Sequence, residues 1–205
     1  MSLSKKFSND HFTHNLVRWY EYIVPRLQNR NVKVLIVGAF EGRAVLFLLE
    51  KAGINLSRSM IYCVDSYKDV QILSNLKHNL RPYSKNVRVY DGDISYILRK
   101  FDPNEITFDF IYISSEHAAK YQVEYGVLSL PLLKARGILG FHNYTNSKEH
   151  NTSCPKKGID NFIDMYASDV KVLTTSWEVF MLKRANPMKT KYCYSELYHE
   201  DLSQV

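Results

Sequence analysis

Cysteine is scarce in this chain. Cys63, Cys154 and Cys193, the three among 205 residues, are too few and too scattered for a disulfide framework or a four-cysteine zinc knot. No apolar run approaches the roughly 20 residues that span a bilayer. The opening MSLSKKFSNDHF lacks the apolar stretch of a secretory leader. A soluble, cytoplasmic protein without membrane association is therefore expected. Neither G-x-G-x-x-G nor G-K-[ST] occurs, which argues against a dinucleotide fingerprint and a P-loop. Internal repeats and low-complexity tracts are also missing. Charge of one sign is only mildly in excess: 27 Lys and Arg against 21 Asp and Glu give +6. The excess is spread out, with five basic and two acidic groups in residues 1–31 and seven and three in residues 68–100. Neither stretch makes the dense basic face of a nucleic-acid binder, so nucleic acid is not the expected partner.

What is present is an alternation of strand-like and helix-like segments. HFTHNLVRWYEYIVPRL sets Phe12, Leu16, Trp19 and Ile23 on one helical face, widened by Tyr20, and Pro25 is expected to end that helix. VKVLIVG at 32–38 is a largely apolar run of the kind made by a strand buried on both faces. EGRAVLFLLEKAG follows as a helix with Val45, Leu48 and Leu49 inward and Gly53 closing it. SMIYCVD (59–65) reads as a strand, DVQILSNLKHNL as a helix, NVRVY (86–90) as a strand and DISYILRKF as a short helix. FDFIYIS (108–114) is the next strand, followed by a long helix over 117–134 that Pro131 can kink or shorten. RGILGFHNY (136–144) is a strand, and GIDNFIDMYA a helix from about 158. DVKVLTTS and WEVFMLKR close the chain as two strands around a tight turn.

Repeated β-α units predict a parallel sheet covered by helices on both faces, with the final strand pair adding an antiparallel edge. At 205 residues and 45% hydrophobic content, one domain with a full core is expected. Three regions are expected: a helical segment at 1–31 that can cover a pocket, an α/β domain at 32–184, and a tail at 185–205 without sustained periodicity. The polar stretch TNSKEHNTSCPKKG (145–158) has the character of a lid.

Candidate chemistry gathers at strand ends. Gly38 ends the first strand and Gly42 stands at the mouth of the next helix; in an open parallel sheet, ligands bind beyond these ends. Asp65 ends the second strand, where a carboxylate can accept hydrogen bonds from both hydroxyls of a ribose. Two structural turns and a surface carboxylate are the plainer readings of these residues. Asp93 follows the third strand, where it can cap the helix beginning at Ile94 or face an adenine, but cannot fully do both.

In order and wording these segments resemble a class I S-adenosylmethionine-dependent methyltransferase, in particular methyltransferase family 24, over roughly residues 32–183. VLIVGAFEGRAVLFLLE is similar to the family's first motif, IYCVDSY to its ribose-binding motif and VYDGDISYIL to its adenine motif. FDFIYISSEH resembles the family's FDFIYIDGSH, and LPLLKARG its LPLLKPGG. The closing GIDNFIDMYA and VKVLTTSWEVFMLK resemble its last helix and β-hairpin. The resemblance implies a Rossmann-like three-layer α/β sandwich with a mostly parallel seven-stranded sheet and an antiparallel C-terminal hairpin. It also implies S-adenosylmethionine as cofactor, with S-adenosylhomocysteine as product. Gly38, Phe40, Glu41 and Gly42 would surround the methionine portion, Asp65 the ribose, Asp93 and Ile94 the adenine, with Ser114 also on the cofactor side. His117 and His142 are the candidate catalytic bases, since imidazole titrates near neutrality.

The departures from the family pattern matter as much. Ile36 replaces a glutamate, Ala39 and Ala44 replace hydroxyls, Ser114 replaces an aspartate, and His142-Asn143 replaces Asp-Asp. Related catechol-type enzymes hold magnesium with carboxylates at the last two places, and Ser114, His142 and Asn143 offer none. Metal-independent methyl transfer to a small molecule, at oxygen, is thereby the leading expectation that the resemblance implies, with Ser114, Glu116, His117 and His142 as a polar network. A catalytically inactive binding protein of this fold, and a methyltransferase acting on nucleic acid or protein, are the alternatives. A homo-oligomer is left open.

Overall fold

The computed structural model describes residues 4–115, 118–144 and 154–185. His117 and Glu116 fall outside these, as do residues 145–153 of the expected lid and the tail beyond residue 185. Seven strands form one sheet: β1 (Lys33–Val37), β2 (Met60–Asp65), β3 (Val87–Asp91), β4 (Phe108–Ile113), β5 (Leu133–Phe141), β6 (Val170–Thr175) and β7 (Val179–Lys183). Their order is β3-β2-β1-β4-β5-β7-β6. The first five are parallel neighbours, whereas β7 runs antiparallel to β5 and β6 antiparallel to β7. This is the expected mostly parallel sheet with its antiparallel hairpin. Strand order reverses between β1 and β4, so their following loops part there and leave a crevice above the carboxyl ends.

Side-chain alternation builds the layers. Val34 and Ile36 of β1 enter one core with Phe110, Tyr112 and Phe180. Leu35 and Val37 enter the other with Ile111, Ile113 and Phe141. Because both faces are buried, the strand shows no polar alternation and reads as a continuous apolar run. The first core is covered by the N-terminal helix α1 (residues 13–27), by α2 (Arg43–Glu50) and by α3 (Val70–Leu80), and the second by α4 (Ile94–Lys100), α5 (Ala119–Ser129) and α6 (Pro155–Met165). Val45, Leu48 and Leu49 are all buried, as expected. Among the described residues, no helix is long and apolar enough to cross a membrane.

The N-terminal helix α1 corrects one expectation. It is built from a 3-10 turn (Thr13–Asn15), an α turn (Leu16–Arg18), a π segment (Trp19–Ile23) and a last α turn (Val24–Leu27). Pro25 therefore sits inside the helix rather than ending it. In the widened turn before it, the Val24 N–H donates to the Trp19 carbonyl, a five-residue step that accommodates the proline ring. Trp19, Ile23 and Leu27 stay on the buried face, while Tyr20 is half exposed.

Two further boundaries differ. The helix expected over 117–134 stops at Ser129, because Pro131 cannot continue it; Leu132 N–H instead closes a turn onto the Ser129 carbonyl. Lys134 then belongs to β5, which starts at Leu133 and ends at Phe141 instead of running over 136–144. Its register slips between the pairs Phe108–Leu133 and Phe110–Ile138, where Arg136 takes φ +63°. That bulge explains why the early part of β5 carries no strand pattern in sequence.

Candidate active site

The crevice above β1 and β4 is a cleft of about 720 Å³ lined by His11, His14, Gly38, Phe40, Asp65, Ser114, Ser115, His142, Asn143 and Trp177. It lies within the usual range for small-molecule sites. The strands deliver its polar groups together because the ladder continues one residue past their ends. Gly38 N–H donates to the Val64 carbonyl, Ser114 N–H to Val37 and His142 N–H to Ile113.

Gly38 is required here on two counts. Its φ is +86°, and a Cβ would stand 2.5 Å from the Ser115 backbone nitrogen. The next bend falls on Phe40, at φ +48°. Its N–H donates to Asp65 Oδ2 at 2.9 Å, while Ser66 N–H donates to Oδ1 at 2.8 Å. Asp65 thus holds the first loop in place as well as facing the cleft.

Other residues expected around the cofactor are used differently. Glu41, 1% exposed, turns away from the cleft: its oxygens accept from Asn75 Nδ2 and Ser8 N–H, both at 2.7 Å. It ties the N-terminal segment at Ser8 to α3. Gly42, φ +87°, serves packing, since a Cβ would come within 2.9 Å of Leu76 Cδ1 on α3. Asp93 caps α4, accepting the Tyr96 N–H at 2.7 Å, and Ile94 is buried in the second core. Neither lines the cleft.

His142 does, but with partners the sequence did not suggest. It is 6% exposed, and its Nδ1 lies 2.9 Å from the Tyr112 hydroxyl and 3.2 Å from Asn15 Nδ2. Tyr112 donates in turn to Glu178 Oε1, which also accepts Trp19 Nε1–H at 3.0 Å. Burial, reinforced by the Glu178 carboxylate, pushes the Tyr112 phenol well above its ordinary value, so it keeps its proton. Glu116 and His117 of the expected polar network fall outside the described residues. The signal of the buried chain in sequence was a tyrosine inside the apolar strand FDFIYIS and a glutamate inside WEVFM: polar tips at buried positions need partners.

Aromatic and imidazole rings form the walls. The His14 ring centroid is 5.6 Å from that of His142 and 5.7 Å from that of Trp177, and His11 meets Phe40 edge-on at 5.5 Å. Burial first, then neighbouring His142, lowers His14 below its ordinary 6.5, which favours a neutral ring. Among the described residues, no three His, Cys, Asp or Glu side chains are grouped to hold a metal.

A seven-stranded sheet in this order, with its cleft at the β1–β4 switch, is the fold of the class I methyltransferases. The model of a methyltransferase domain, family 24, matches residues 35–144, just over half of the chain, and the protein belongs to that family. None of the curated proteins matches the sequence. Among solved structures, an O-methyltransferase from Bacillus cereus in complex with S-adenosylhomocysteine is similar at 15% identity and TM-score 0.64, covering 87% of this chain and 84% of that one. The O-methyltransferase TomG from Streptomyces achromogenes, involved in tomaymycin synthesis and bound to S-adenosylmethionine, shares 16% identity and a TM-score of 0.62, covering 75% and 74%. A fibrillarin pre-rRNA processing protein from Methanococcus jannaschii shares 15% and 0.54, covering 76% and 67%. At these identities the likeness is one of fold.

Proposed function

We propose that this protein transfers a methyl group from S-adenosylmethionine to a hydroxyl of a small molecule, with His142 as the base and without a required metal. The observation that carries this reading is the joint presence in one cleft of the Gly38 loop, the Asp65 carboxylate and a histidine anchored from below. The residues fit the donor. Asp65 presents its carboxylate in the cleft to vicinal hydroxyls, the Gly38 turn lines the cleft with backbone alone, and the aromatic wall suits a cationic centre. The bound donor supplies an electrophilic methyl carbon on a sulfonium, and the pair of the broken carbon–sulfur bond stays with sulfur.

The chain's own residues then have three tasks. Asp65 and the Phe40 turn fix the nucleoside side of the cleft. His11, His14 and Trp177 hold a planar acceptor and restrict water, which favours in-line placement. His142 takes the proton of the acceptor hydroxyl as its oxygen bonds to the methyl carbon. Ser114, His142 and Asn143 place no carboxylate at the strand ends, which supports metal independence. The test is transfer of isotope-labelled methyl groups to a panel of phenols and other small hydroxyl compounds, with and without chelator. Turnover that survives chelation and is lost in His142→Gln is the expected result. Turnover restored only by magnesium, or labelling of RNA alone, overturns the reading.

A further inference from the structure

The buried chain behind His142 has a consequence for its ring nitrogens. Glu178 is fully buried, and its Oε1 receives two donors, the Trp19 indole and the Tyr112 hydroxyl. Oε1 is the acceptor in both bonds, so the single hydroxyl proton of Tyr112 points at Glu178. The Tyr112 oxygen then meets His142 Nδ1, 2.9 Å away, as an acceptor. Two lone pairs at that distance would repel, so Nδ1 must carry a proton. Asn15 agrees with this once its amide is turned by half a rotation. Its Oδ1, otherwise buried without a partner, then accepts from the same Nδ1–H, while the opposite orientation would set a donor against a donor.

We propose that Glu178, acting through Tyr112, fixes His142 as the Nδ1–H tautomer and leaves its Nε2 bare for the cleft. The inference rests on the reading of His142 as the base. Glu178 and Tyr112 are thus positioning residues, and neither touches the acceptor. The proton leaving the acceptor oxygen goes to Nε2, making an imidazolium whose charge is set against Glu178 across the Tyr112 hydroxyl. His14 is the other titratable group at this ring.

Nitrogen NMR of isotopically labelled protein reads the tautomer without turnover. The wild-type His142 is expected to show a protonated Nδ1 and a bare Nε2. In Tyr112→Phe the acceptor is gone, and Asn15 can donate to Nδ1 instead, so the proton is expected on Nε2. In Glu178→Gln the new amide can donate to the Tyr112 oxygen, turning the phenol proton onto Nδ1, with the same inversion. A wild-type Nε2–H tautomer, or a tautomer unmoved in both variants, overturns the proposal. The kinetic arm separates this from the methyltransferase reading. Both variants are expected to lose about 100-fold in kcat while binding S-adenosylhomocysteine within twofold of the wild type. Inversion of the tautomer with full turnover retained would preserve the relay geometry but overturn its catalytic role and that of His142.

Discussion

Glu41 shows how far a single side chain can depart from what its motif suggests. Placed one residue from the cleft-lining Phe40, it spends both carboxylate oxygens on Asn75 and Ser8, and its carbonyl accepts Asn79 Nδ2 at 2.9 Å. Glu41→Ala would strand the buried Asn75 amide and release the Ser8 N–H, a loss of about 1–3 kcal/mol. Urea unfolding should show that loss, while affinity for S-adenosylhomocysteine should remain within a few-fold; a large affinity loss at unchanged stability would return Glu41 to the cofactor site. Asp10 is a second anchor. It accepts the Thr13 hydroxyl at 2.5 Å, the Thr13 N–H at 2.9 Å and the Phe12 N–H at 3.0 Å at the start of α1, which lowers its carboxyl from 3.8 to about 2. A carboxylate depressed on folding contributes stability above its unfolded value and loses it as pH falls. Asp10→Ala should therefore cost about 1 kcal/mol at neutral pH. The gap from wild type should narrow between about pH 4 and pH 2 and close at the acid end, and a gap independent of pH would contradict this origin.

Among the elements, α5 and α6 meet most tightly. A Cβ on Gly158 would stand 2.2 Å from the Ala119 carbonyl oxygen, so backbone itself fills the space a side chain would need. Gly158→Ala should push the two helices apart and cost about 1–3 kcal/mol; thermal unfolding checks it, and an unchanged midpoint would mean that the helices slide freely. The same scale shows what could be read from sequence. VKVLIVG was visible as a strand buried on both faces, FDFIYIS as a strand, and Asp93 as a cap at a helix start. The antiparallel edge also followed from two strands without a helix between them, but not that β7 rather than β6 lies beside β5. The π segment was hidden, because Trp19 and Ile23 keep a spacing that an ordinary helix would show equally well. The bulge in β5 was hidden behind Lys134-Ala135-Arg136, which carry no strand pattern. The relay was the least legible feature: Tyr112 and Glu178 are 66 residues apart, and Asn15 and His142 are 127 apart. Only the topology brings them together, and each polar residue taken alone reads as a local feature of its strand or helix.

For the whole molecule, the sheet order concentrates the chemistry at one end. Gly38 after β1, Asp65 at the end of β2, Ser114 after β4 and His142 after β5 come from separate parts of the chain and share one cleft. The helical segment before β1 belongs to the same structure: Trp19 and Ile23 are fully buried in the core, while His11 and His14 of that region reach the cleft wall. Recognition of the acceptor and anchoring of the base would thus draw on the N-terminal segment, with Asn15 beneath His142 and His14 beside it. The central claim, that this cleft binds the methyl donor through Asp65, is tested most directly by calorimetric titration of the purified, cofactor-free protein with S-adenosylhomocysteine, alongside Asp65→Ala. Saturable binding at one site per chain, weakened at least about tenfold in the variant, is the expected result. No heat of binding to the folded wild-type protein up to the ligand's solubility, or equal affinity in the two proteins, would contradict it.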